Sequence, residues 1–205
     1  MLYRLAPEHE DAARWKNSLE LYREYVALTS RTVPYGLLPN GIYELDNTDF
    51  STITHEGARA AGAPSLEEYN AQVRNGIRLN DRFYLRVFPV AYQFRGFHAT
   101  LMGRALAAME LARALNDREI KQVAVRQMEW ILGRGDVYKR QMYGEGHDYH
   151  PLYAPMSPQL VGAVPVGFET FENEDQPFYP MQNNATYKEV WVHTTCRMMW
   201  LIAML

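Results

Sequence analysis

Between His147 and Trp191 the chain gathers side chains that could work on a hydroxylated ligand. Tyr179, Tyr187 and Trp191 offer flat faces for stacking, and Asn183 and Asn184 offer amides that bond hydroxyl groups. His147 and His150 are spaced as a metal pair could be, but no third ligand follows them, so no metal site is read here. Glu189 is one of the carboxylates in this stretch, and it has two readings. It closes a Thr186-Tyr-Lys-Glu189 stretch, the T-x-x-E pattern of a capping box, in which Glu189 would bond back to Thr186 at the head of a helix. The other reading is an acid that acts on a ligand, although local sequence by itself favours the cap. Both stay open.

The elements that would position these residues are mostly helical in pattern. From Pro7 to Ser30, apolar residues at Ala12, Trp15, Leu19, Tyr22 and Val26 recur every three or four positions, which predicts an amphipathic helix. A long irregular stretch follows, broken by Pro34, Gly36, Pro39, Gly41 and Pro64. Ser65 to Glu68 is a second capping-box pattern and opens a helix to about Asn75. After the extended run RFYLRVFPVAYQF, a helix is predicted from about Phe97 to Leu115. Asn116 and Asp117 turn the chain, Asp117 serving as N-cap of the next helix. That helix should bury Ile120, Val123, Ala124, Met128 and Ile131 and stop at Gly133. The stretch from Met142 to Ala185 has almost no period. A last helix is predicted from Thr186 to the C-terminus, apolar nearly all round and therefore buried, with Trp200 in the core. No strand alternation persists, so the expected class is all-α, one domain over residues 1–205. Tight turns alternating with long Gly/Pro/aromatic loops suit a toroid of helical hairpins with its long loops on one face.

Bulk composition narrows the ligand. The 205 residues are 47% hydrophobic, 13% aromatic and 22% charged, with a net charge of −3. That balance provides no field to gather nucleic acid or anionic lipid. Abundant aromatics with little net charge suit a neutral ligand with hydroxyls and apolar faces, such as a sugar. Cys196 is the only cysteine, which excludes an internal disulfide and a thiolate-based zinc site. The start, MLYRLAPEHEDAARW, has no apolar run of the kind a signal peptide needs, and CRMMWLIAML at the end is too short to span a bilayer. The compartment stays open.

The segment RGFHATLMGRALAAMELARALNDREIKQVAVRQMEWILGR resembles the penultimate hairpin of family 9 glycoside hydrolases, the cellulase-like enzymes of (α/α)6 fold. Trp130, Ile131, Leu132, Gly133 and Arg134 match that family's aromatic-leucine-glycine-arginine phrase. MYGEGHDYHPLYAP stands where relatives have a Gly-containing loop bearing histidines, QLVGAVPVG resembles their LVGGP phrase, and YKEVWVHTTCRMMWLIA lies where they have Asn-Glu and a closing helix. The resemblance runs from about Tyr92 to Leu205. It implies an inverting glycosidase, in which one carboxylic acid protonates the leaving oxygen and a carboxylate activates water on the opposite face. It implies Glu189 as the acid, His147, Tyr149 and His150 as sugar contacts, no cofactor, and a parent enzyme that is secreted or periplasmic. His193, Thr194 and Thr195 replace the family's Asp-Tyr-Asn phrase, and the histidine-arginine pairing of cellulases is missing, so cellulose itself is not implied.

Two further expectations follow from that resemblance. Where relatives have Asn-Pro and a Ser, this chain has GDVYKRQ. The codons GAT GTG TAT AAG AGA CAG encode DVYKRQ and resemble the transposon mosaic end joined to fragments in sequencing libraries. On this reading Asp136 to Gln141 are a translated adapter, Gly135 is a junction codon, and Lys139 and Arg140 have no role in binding. The family's catalytic base comes from an aspartate pair in an early hairpin, which would precede Met1. Asp46 and Asp49 lie too late in the order and read as solvated loop acids. A full toroid of twelve helices needs roughly 300 residues or more, so the chain reads as a C-terminal portion that is inactive alone. The alternatives are a non-catalytic carbohydrate-binding helical domain, or another toroid enzyme such as a polysaccharide lyase. A lyase would need a Tyr/His or Asn/His pair and a cation for a uronate carboxylate.

Overall fold

The computed structural model describes residues 2–47, 65–90, 96–134, 139–153, 155, 159–170, 174–179 and 185–205. Its elements are α1 (Leu2–Leu5), α2 (Ala12–Thr32), β1 (Gly41–Glu44), α3 (Leu66–Arg74), β2 (Ile77–Arg78), β3 (Phe83–Arg86), α4 (His98–Leu115), α5 (Arg118–Glu129), β4 (Glu169–Thr170), β5 (Pro177–Phe178), α6 (Ala185–Lys188) and α7 (Val192–Ala203). No helix among the described residues is long and apolar enough to cross a membrane.

The α4–α5 hairpin organises the core. α4 is rich in alanine and buries Leu101, Met102, Ala105, Ala108, Met109, Leu111 and Ala112. Small side chains let neighbouring helices approach closely; Gly103 faces the Arg197 guanidinium of α7. Asn116 turns the chain in the left-handed conformation (φ 53°), and the Asp117 carboxylate accepts the Glu119 and Ile120 N–H groups at 2.9 and 3.1 Å. Arg23 of α2 donates to the same carboxylate at 2.7 Å and holds it below the usual carboxylate range. α5 buries Ile120, Val123, Ala124 and Met128, and Ile131 continues that face. A wider π turn, Trp130–Arg134, then ends at Gly133, whose φ of 94° suits glycine.

α4 and α7 lie side by side in the same direction. At one end residues 165–168 bond the head of α4 and residues 187–190 just before α7, and at the other end Lys121 Nζ of α5 donates to the Leu205 carbonyl at 2.7 Å. α5 runs back antiparallel to α4.

Two expectations are corrected here. The protein is mostly helical but not all-α. β1, β3 and β2 form a three-stranded antiparallel sheet in that spatial order, with Gly41 opposite Arg86 and Ile77 opposite Leu85. β4 and β5 form a second, two-stranded ribbon. The pairs in these strands are too few for alternation to show in sequence. Packing of the three-stranded sheet against α3 gives a small second core of Tyr43, Tyr69, Val73 and Val90. α3 opens on the capping box expected at Ser65 and Glu68, with both reciprocal hydrogen bonds present.

The second correction concerns the C-terminal helix. It is broken into α6 and α7 by an extended segment around Glu189 to Trp191. α7 buries only Thr194, Met198 and Leu201, while Val192 (79%), Met199 (64%) and Trp200 (57%) are exposed. Trp200 is therefore a surface residue, because α4 covers only one face of the helix. Asp46 is exposed in a turn, as a solvated loop acid would be, and Asn70 of α3 also bonds its N–H and its carboxylate at 2.9 and 2.8 Å. Asp49 lies outside the described residues.

A candidate active site at the head of the C-terminal helix

A loop passes between two helix ends. Phe97 N–H donates to Phe168 O at 2.7 Å and His98 N–H donates to Val166 O at 3.1 Å, which satisfies donors that the first turn of α4 leaves free. On the loop's other side, Val166 N–H donates to Glu189 O (2.9 Å) and Gly167 N–H to Tyr187 O (2.8 Å). Pro165 and Val190 form an antiparallel bridge, and Tyr153 N–H donates to Lys188 O at 3.0 Å. This lacing draws residues 189–191 out of helix. Gly167 permits it: its φ is 100°, and a Cβ there would lie 2.2 Å from His98 Cγ.

Glu189 therefore does not occupy the third position of a helix. Its N–H closes the single turn of α6 onto Ala185 O, so it ends a turn rather than capping a start. Its half-buried carboxylate accepts the Trp191 Nε1–H at 2.6 Å. Trp191 in turn lies 5.3 Å from the His193 ring. The glutamate and the tryptophan named as candidates are thus one hydrogen-bonded unit.

A second group sits against the same lacing. The His150 ring stacks on Tyr179 with centroids 4.0 Å apart, both pack on Phe168, and Lys188 Nζ lies 5.8 Å from the Tyr179 ring centre. Burial, with Lys139 and Lys188 adding repulsion, lowers His150 to about 4, so it is neutral at pH 7. Burial raises the Tyr179 hydroxyl and lowers the Lys188 ammonium. His150 Nε2 and Tyr179 Oη have no hydrogen-bond partner among the described residues. Tyr187 packs on the main core, Tyr149 meets Tyr143 edge-on at 4.9 Å, and His147 is exposed. Asn183 and Asn184 lie outside the described residues.

Of the segment read as an adapter, residues 136–138 lie outside the description, and Lys139 to Gln141 contact the chain itself. Gln141 is buried and its N–H donates to Ile131 O; Arg140 exchanges backbone bonds with Asp148 and His150; Lys139 pairs with Asp148 at 3.2 Å. These bonds anchor the turn that presents His147 and His150.

Two buried polar features were not singled out from the sequence. His98 is fully buried among Phe97, Trp130 and Phe168, its Nδ1 3.1 Å from Pro165 O. Arg86 and Asp175 form a buried pair, Nε to Oδ1 3.4 Å, and the Asp175 carboxylate also accepts Val87 N–H and Phe88 N–H at 2.9 Å each. Burial raises Asp175 against the pull of Arg86 and these donors. The charged letters of Arg86 and Asp175 were visible in the sequence, but the two are 89 positions apart. No group of three or more metal-ligating side chains occurs among the described residues.

No protein-family model, curated protein or solved structure matches the chain.

Proposed function

We propose that the chain is the C-terminal part of an inverting glycoside hydrolase, similar to family 9 and built on a partial (α/α)6 toroid, that cleaves β-glucan or a related plant or bacterial polysaccharide. Glu189 is the general acid, and the base comes from residues outside this chain. The observation that carries the reading is Glu189 itself: its half-exposed carboxylate is aimed by the Trp191 indole at the head of α7 and is not consumed in capping a helix. The α4–α5 hairpin, with α7 packed along α4, supports the toroid reading. Trp191 supplies a stacking face beside the acid. His150 Nε2 and Tyr179 Oη supply buried polar atoms that sugar hydroxyls would satisfy.

The test uses the chain restored to its full-length parent. Glu189→Gln keeps an acceptor for Trp191 but cannot give a proton. Hydrolysis of an unactivated glycoside should fall by about 10²–10⁴, the usual contribution of a positioned acid. A glycosyl fluoride, which needs no protonation, should be cleaved with far smaller loss. Equal losses on both substrates would remove the acid role.

A polysaccharide lyase is the second reading, favoured by the His150–Tyr179 stack with Lys188 beside it. A lyase would release an unsaturated uronate with a new ultraviolet absorbance, and a hydrolase would not.

A further inference from the structure

A separate groove of about 410 Å³ lies outside this site, lined by Tyr35, Gln122, Arg126, Glu129, Trp130 and Arg134. Its size falls within the range of small-molecule sites, roughly 300–1,000 Å³. One wall is the Pro34–Gly36 turn and the other is the last turns of α5 with the π turn beyond it. Tyr35 adopts φ 66°, a left-handed conformation that strains any residue with a side chain. The buried Gln127 amide fixes it there, donating to Gly36 O at 3.0 Å and accepting Leu38 N–H at 2.7 Å. Strain held in place this way is a common mark of a working site.

The charges are equally specific. Arg134 pairs with Glu129 at 2.6 Å, while Arg126 has no carboxylate partner among the described residues and donates only a long bond to Gln122 O. Two guanidinium groups against one carboxylate leave a single positive charge unneutralised. Tyr35 is 38% exposed and supplies aromatic surface, and its hydroxyl and the Gln122 amide can bond hydroxyls. A ligand with one negative charge, several hydroxyls and an apolar ring face fits this set. Arginine is the side chain suited to holding a carboxylate through paired bonds.

We infer that this groove binds a carboxylated sugar ring, a hexuronate. The inference does not depend on Glu189 or on the proposed hydrolysis.

The experiment titrates the 205-residue chain with glucuronate and galacturonate, as monosaccharides and as trimers. Glucose and galactose oligomers and inorganic phosphate serve as controls, and tryptophan fluorescence and calorimetry as readouts. Saturable binding of a uronate is expected, with neutral sugars at least about tenfold weaker, as loss of a charged hydrogen bond implies, and with phosphate weaker because it has no ring face to lie on Tyr35. Binding confined to trimers would assign a polysaccharide as the source, and equal binding of monomers would assign free sugar acids. Arg126→Gln should weaken uronate binding by about tenfold or more. Tyr35→Gly should also weaken it while leaving the melting temperature unchanged or higher, because glycine relieves the left-handed backbone. That variant separates lost binding from lost folding. Absence of saturable uronate binding would overturn the assignment, as would neutral sugar or phosphate binding as tightly. Unchanged affinity in Arg126→Gln would do the same.

Discussion

Replacing His98 with glutamine should make the protein less sensitive to acid. The imidazole is fully buried among three aromatic rings, and burial holds it at about 3 against an ordinary 6.5. In the folded chain it stays neutral and its Nδ1–H donates to Pro165 O; in the unfolded chain it takes up a proton at the ordinary value. A depressed histidine therefore contributes stability that is complete above pH 6.5 and is lost as the pH falls toward 3. At pH 4.5 the unfolded state gains two pH units of proton binding that the folded state cannot match, about 2.7 kcal/mol. His150, lowered to about 4, adds to the loss over the same window. His98→Gln keeps a donor for Pro165 O and removes the proton site. Urea unfolding of both proteins at pH 7.5 and pH 4.5 would measure it. The wild type should lose about 2–3 kcal/mol more than the variant between the two conditions. Equal losses would mean that His98 is not desolvated as its cage of rings requires.

Two further outcomes can be checked on the same chain. Asp175→Asn leaves the Arg86 charge buried without its partner and turns an amide nitrogen toward Val87 N–H or Phe88 N–H, so it should cost about 3–5 kcal/mol; the double variant Arg86→Met/Asp175→Leu should recover much of that in thermal unfolding. The exposed apolar residues of α7, Val192, Met199, Trp200 and Ile202, with Leu205 just beyond it, should drive self-association in light scattering. Trp200→Glu should shift it toward monomer, and a wild-type chain that stays monomeric at high concentration would count against this.

Helices were legible where local chemistry alone decides them. Ser65 and Glu68, and Asn116 with Asp117, place their bonds within a few residues, so their patterns carried directly into structure. The same holds for the buried face of α5, which repeats with the helical period. The sheet was hidden because β1 ends at Glu44 and its partner β3 begins only at Phe83, and each is only four residues long. Exposure of Trp200 was hidden for another reason. An apolar sequence states what a helix could bury, and only its neighbours decide which face they reach.

Glu189 shows the limit most clearly. Thr186-Tyr-Lys-Glu189 meets every local requirement of a capping box, as Ser65-Leu-Glu-Glu68 does, yet only the second forms. The difference lies more than twenty residues upstream. Val166 and Gly167 donate to the carbonyls of Glu189 and Tyr187, and the Pro165–Val190 bridge extends the same contact. A helix running through Glu189 would have to use those carbonyls itself, four residues along. The loop takes them first, because the same loop also satisfies the first N–H groups of α4 and is held by the buried His98 ring. Tertiary bonding thus breaks the helix, turns the Glu189 carboxylate toward Trp191, and leaves it half-exposed. The position that looked most like a structural cap is the one the fold leaves chemically available.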